Sequence, residues 1–165
     1  DVAQIREQIP GTPLVAGIFS YTRAGGVRQA IINRGYEDGV AIGDVVVTAH
    51  QEFIGVTEQV FAQHSAVRVL GDAALEVTAR VVNSDISGLI RSERGRSVVL
   101  DLVQKAETLV EGAIVVTSGD DRYPVGLILG TVRSVDSEAS TLFQIVRVTP
   151  AIHSGIQGSV LVIRP

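Results

Sequence analysis

The chain has 165 residues, 45% hydrophobic and 19% charged, with a formal net charge of -4; that is enough for one ordinary or two small packed domains and excludes wholesale disorder. A single lysine (Lys105), no Lys/Arg block and 4% aromatics leave neither a cationic stripe for phosphates nor a platform for bases, so no nucleic-acid partner is expected. Cysteine is absent, which excludes disulfides, thiolate metal sites and cysteine nucleophiles.

The first segment, DVAQIREQI, carries Val2, Ile5 and Ile9 at spacings of three and four, the a/d pattern of a coiled coil, and Pro10-Gly11 ends it. So short a helix does not hold alone in water. Methionine is absent even at position 1, so we expect residues 1–12 to be the remnant of a coiled coil cut from a longer chain.

After Pro13 the apolar period changes from helical to two. In LEVTARVV, Leu75, Val77, Ala79 and Val81 share one face and Glu76, Thr78 and Arg80 the other. RSVVLDLVQ, residues 96–104, reads as a strand with Val98, Leu100 and Leu102 on its buried side, preceded by a turn at Glu93-Arg94-Gly95. Further strands are expected at Thr141–Thr149 and Ser159–Ile163. Strands recurring every 8–12 residues, with 17 glycines to turn and coil them, predict a sandwich or barrel.

An internal echo narrows the choice. Gly43-Asp44-Val45-Val46-Val47-Thr48 matches Gly112-Ala113-Ile114-Val115-Val116-Thr117 at an offset of 69, and Phe53-Ile54-Gly55-Val56 answers Pro124-Val125-Gly126-Leu127 at an offset of 71. A duplication implies an all-β chain of two small β-barrels packed side by side. The expected division is a coiled-coil remnant at 1–12, a first barrel at 13–72 with 157–164 as a candidate closing strand, and a second barrel at 73–156.

Chemistry is thinly signalled. His50, Asp101 and Ser118 stand in a chain order known for a serine triad on a double barrel, which makes a serine hydrolase the alternative function. Yet the echo puts His50 and Gly119 at equivalent places in different barrels, and Ser118-Gly119-Asp120-Asp121 is ordinary turn chemistry. The histidines His50, His64 and His153 have no ligand spacing, and no phosphate loop opens a helix, so neither metal nor cofactor is expected. Phe53-Ile54 and Tyr123-Pro124 flank the turns of the two echoing hairpins; core packing is the reading their apolar character favours, and these four residues are the candidate partner contacts if they are exposed.

Three segments carry a family pattern. The first is Ile32-Asn33-Arg34-Gly35-Tyr36-Glu37-Asp38-Gly39-Val40 with Gly43 and Val46. The second is Val115-Val116-Thr117-Ser118-Gly119 with Pro124, Gly126, Gly130 and Val132. The third is Val148-Thr149-Pro150-Ala151 with Val160-Leu161-Val162. Together they resemble the extracytoplasmic core of the MreC family of bacterial rod shape-determining proteins, over about residues 14–163. The chain departs from that pattern at Gly112-Ala113, at Glu52-Phe53 and at Gly71-Asp72. The resemblance implies two β-barrels behind a membrane helix and a coiled coil, with the general shape of trypsin-like proteases but no triad. It implies a scaffold of the cell-wall elongation machinery on the outer side of the cytoplasmic membrane, in contact with a class B penicillin-binding transpeptidase and MreD, and self-associating into dimers or filaments.

Overall fold

Alternating Val, Ile, Leu and Ala, interrupted by glycine turns, give a chain of strands, and the computed structural model describes them over residues 12–94, 97–104, 107–136, 142–152 and 158–165. The expected N-terminal helix, with Val2, Ile5 and Ile9, lies outside the described residues. The first barrel holds β1 (Leu14–Ala24), β2 (Val27–Ile32), β3 (Val45–Val47), β4 (Phe53–Val60), β5 (Ser65–Val69) and β12 (Ser159–Ile163). The second holds β6 (Val77–Val81), β7 (Ser87–Glu93), β8 (Ser97–Gln104), β9 (Ile114–Thr117), β10 (Ile128–Asp136) and β11 (Phe143–Pro150). Both barrels are closed, in the orders β1-β12-β3-β4-β5-β2 and β10-β11-β8-β7-β6-β9, with antiparallel neighbours throughout. Closure removes the exposed edges that an open sheet would present.

The two orders coincide when β3, β4, β5, β2, β1 and β12 are laid on β9, β10, β11, β8, β7 and β6. Register agrees as well. Val46 lies between Gly55 and Val162, and Val115 between Gly130 and Val81. Ile32 lies between Ile18 and Ser65, and Leu100 between Ile90 and Val146. The barrels are therefore one design used twice, with the strand that opens the second taken, in the first, from the far end of the second.

This corrects the second half of the sequence echo. Gly55 answers Gly130, not Gly126, at an offset of 75. At both glycines a Cβ would collide with backbone, 2.0 Å from the Arg68 carbonyl oxygen and 2.2 Å from that of Thr149, so only glycine lets these strands coil so tightly. The offset grows because the connection from β9 to β10 is longer than that from β3 to β4, and the added residues include Asp120–Tyr123.

Side chains inside the first barrel, among them Ala30, Ile32, Val46, Ile54, Val67, Val160 and Val162, form one cluster. Val45, Val47, Phe53, Leu161 and Ile163 point out of that barrel and join the core of the second. β3 and β12 and the start of β4 are thus buried on both faces, which is why they read as unbroken apolar runs. The face assigned to β8 fails at its end. Asp101-Leu102 bulges against β11, between the pairs Leu100–Val146 and Val103–Gln144. Leu102 takes a left-handed φ of 62° and is 51% exposed, while Val103 enters the core in its place.

Candidate partner-binding groove

A groove of roughly 440 Å³ runs between the barrels. One wall is first-barrel β4 and β5, with Val56, Glu58 and Arg68; the other is the connection into β6, with Leu75 and Glu76, and the long β9–β10 turn, with Arg122 and Tyr123. Ile42 stands at the rim, 72% exposed.

The long turn is fixed by Asp120. Its Oδ1 accepts the N–H groups of Arg122 (2.7 Å) and Tyr123 (3.1 Å), and its Oδ2 accepts the Thr78 hydroxyl at 3.0 Å. Burial pushes the carboxyl pKa up, but these donors and the Arg122 charge outweigh it and hold Asp120 below the usual carboxylate range. The Thr117 hydroxyl donates to the Pro124 carbonyl at 2.6 Å and accepts Leu127 N–H at 2.9 Å, tying off the far side of the turn.

Tyr123 is the keystone of the groove floor. Its ring meets Phe53 edge to face, with centroids 5.6 Å apart and planes at 81°, so one aromatic pair spans the two barrels. The Arg122 guanidinium lies 5.4 Å from the Tyr123 centroid, over the face of the ring. The phenol donates to the Glu76 carbonyl at 3.4 Å, and burial pushes its pKa up. Across the groove Arg68 pairs with Glu58 at 2.8 Å and approaches Asp72 at 3.8 Å. Asp72 in turn accepts the N–H groups of Arg28 and Ala74, both at 2.9 Å, which pins the connection between barrels. Beyond the groove, Glu52 and Ile128 form a parallel bridge, and Ile128 N–H donates to the Gln51 carbonyl at 2.8 Å.

The result is an apolar floor flanked by charges of both signs, held by backbone and aromatic contacts. It suits a protein segment that inserts an apolar side chain and pairs its own charges at the rim. Sequence reasoning missed Arg122, Arg68 and Ile42; nothing local in the sequence joins three positions that only tertiary folding brings together.

The four expected contact residues fare differently from what exposure at a turn required. Phe53 and Ile54 are fully buried, the first between the barrels and the second inside one; Tyr123 is 6% exposed and Pro124 half-buried. The physical reason is that the second barrel covers Phe53 and Tyr123, which pack on each other, while Ile54 faces the interior of the first barrel. Exposed aromatics instead gather at the β4–β5 turn. Phe61 stacks on His64 at 4.6 Å, and beside it Tyr36 N–H donates to the Phe61 carbonyl at 2.8 Å.

Asp101 and Ser118 are not brought together. Ser118 N–H donates to Thr78, Thr78 faces Leu89, and Leu89 faces Asp101. Three inter-strand steps of about 4.8 Å therefore separate Ser118 from Asp101 along the sheet. The Asp101 carboxylate accepts Arg91 Nε and Leu102 N–H, each at 2.8 Å. His50 is exposed on the β3–β4 turn of the other barrel. His153 lies outside the described residues.

A family model described as "Rod shape-determining protein MreC, barrel core" matches residues 18–164. The chain belongs to the MreC family. Cell shape-determining protein MreC of Haemophilus influenzae is 30% identical to it over 126 residues, which cover 74% of this chain and 35% of that protein. MreC of Listeria monocytogenes is 28% identical over 144 residues, 84% of this chain and 48% of that one. The chain thus spans less than half the length of these MreC relatives. A solved MreC structure superposes with a TM-score of 0.86 at 21% identity, covering 99% of this chain and 93% of that one. A second, from a complex between penicillin-binding protein PBP2 and MreC of Helicobacter pylori, superposes with a TM-score of 0.71 at 14% identity, covering 93% and 99%. A third is described as the major periplasmic domain of the cell shape-determining filament MreC; it gives 0.74 at 15% identity, covering 93% and 96%. At these identities the superpositions establish the shared MreC fold.

Proposed function

We propose that this chain is the extracytoplasmic core of a membrane-anchored scaffold for cell-wall elongation. It binds a class B penicillin-binding transpeptidase through the inter-barrel groove, works alongside MreD, self-associates, and breaks no bonds. The observation that carries this reading is the groove, with fixed walls and a charged rim, in a family one of whose solved members is a PBP2 complex. The separation of Asp101 from Ser118 supports a non-catalytic role. Among the described residues no helix is long and apolar enough to cross a membrane.

The test is binding of the chain to the extracytoplasmic domain of the transpeptidase from the same organism, by calorimetry, with Arg122→Glu and Ile42→Asp variants. Both side chains are well exposed, so both variants should fold. Each is expected to weaken binding at least about tenfold, the scale of one interface anchor. Unchanged affinity in both would remove the groove as the contact. Labelling by a fluorophosphonate that Ser118→Ala abolished would reinstate the hydrolase.

A further inference from the structure

The first barrel is the second with one strand displaced. In the second barrel β6 precedes β7 and joins it through residues 82–86. In the first, the equivalent strand β12 has no such link to β1; it arrives only after the whole second barrel. It nonetheless sits where the shared design requires. Leu14, Val15, Ala16 and Gly17 pair with Val162, Leu161, Val160 and Ser159 on one side, and Val45, Val46 and Val47 with Ile163, Val162 and Leu161 on the other.

We propose that the gap between β1 and β3 is a strand-binding site in its own right, built for one extended segment of branched aliphatic residues, and that the chain fills it with its own residues 159–163. This is independent of the transpeptidase reading. Two neighbouring strands offer hydrogen-bonding edges facing each other one strand apart, so an incoming segment is satisfied on both sides, unlike a strand added to a single edge. The side chains set the specificity. Val160 and Val162 enter the interior of the first barrel, while Leu161 and Ile163 enter the core shared with the second, so both faces of the ligand are apolar. Register is fixed by a polar stop: Arg164 Nη2 donates to the Gly39 carbonyl at 2.9 Å, and its Nε lies 3.8 Å from the Asp44 carboxylate. A one-residue slip would exchange the two faces and lose this stop.

The remaining strands of the first barrel, β1 to β5, are contiguous in the chain, as are all six of the second. What holds β12 is therefore its fit, and the peptide link from β11 serves only to deliver it. Because Leu161 and Ile163 enter the core shared with the second barrel, alongside Val45, Val47 and Phe53, occupancy of the site also contributes to the packing of the barrels against each other.

The test starts from the intact, folded chain carrying a protease site inserted between Pro150 and Ser159. After cleavage, the segment from the cut through Pro165 is expected to stay bound through gel filtration, and unfolding of the first barrel should become concentration-dependent. In mild denaturant a fluorescent peptide of residues 158–165 should exchange into the nicked protein, and the same peptide with Leu161→Asp and Val162→Asp should not. Hydrogen exchange should keep Val77–Val81 and Val146–Val148 protected when the segment is diluted out. Release of the segment with the first barrel still closed, or collapse of both barrels on cleavage, would overturn the proposal. Should the inserted site resist the protease, a permuted chain with residues 158–165 placed ahead of Pro13 decides: it should fold with strand protection like that of the parent, and failure to fold refutes the site.

Discussion

The aromatic clamp between the barrels gives the sharpest quantitative test. Phe53 is fully buried, points out of the first barrel and meets Tyr123 edge to face at 5.6 Å. Phe53→Ala removes a large side chain from a site walled by two rigid barrels, which cannot collapse inward, so the loss should be about 4 kcal/mol, the middle of the range for buried Phe→Ala changes. For a chain of this length that is a drop in Tm of about 8–16 °C. Ile54, its neighbour, faces only the interior of the first barrel, and Ile54→Ala should cost about 2–5 kcal/mol. Bulk stability therefore does not separate the two positions, but coupling does. A double-mutant cycle of Phe53→Leu with Tyr123→Leu should return about 0.5–1.5 kcal/mol for the ring pair. The cycle of Ile54→Val with Tyr123→Leu should return a value near zero. Urea unfolding of the three single and two double variants against the parent measures both. Equal coupling at Phe53 and Ile54, or none at Phe53, would refute the claim that this ring pair joins the barrels.

Gly130→Ala should destabilise the second barrel by about 3 kcal/mol or more, since the new methyl meets backbone that side-chain rotation cannot move; the urea midpoint measures it, and a neutral result would deny the tight coil at β10. Leu102→Gly should stabilise by about 0.5–1 kcal/mol by relieving a left-handed φ on an exposed leucine, read from the same curves, and a loss would mean that the leucine side chain packs after all. Asp120→Asn should test pH linkage. A carboxyl held below its unfolded pKa of about 3.9 adds stability above that pH and loses it as pH falls through the folded value. The parent should therefore be more stable than the variant at pH 7, and the gap should narrow as pH falls below the unfolded value; a constant gap would place the effect in the turn geometry and not in the charge.

The sequence was legible where burial is one-sided. β6, buried at Val77, Ala79 and Val81 and partly exposed between, is the alternation its residues announce. It misled where a local irregularity shifts the phase, as at Leu102, because a bulge moves every later side chain to the opposite face without leaving a clear signature in residue type. At Phe53-Ile54 and Tyr123 it left two readings open, core packing and partner contact, because a strand buried on both faces and a turn floor covered by a second barrel look alike in composition. The echo was real in its first half, where Gly43 and Gly112 share left-handed φ values of 91° and 87° ahead of equivalent strands. It slipped in its second half because glycines recur in turns as well as in coiled strands.

By itself, then, the order of amino acids determined an all-β chain with aliphatic cores and a repeated design, since those follow from residue type and local period. Only the tertiary structure decided that β12 returns to the first barrel, that Phe53 and Tyr123 meet, and that Arg68, Arg122 and Ile42 line one groove. These are contacts between residues far apart in the chain, and the free energy that selects them comes from packing two finished surfaces together, which no short window of sequence contains.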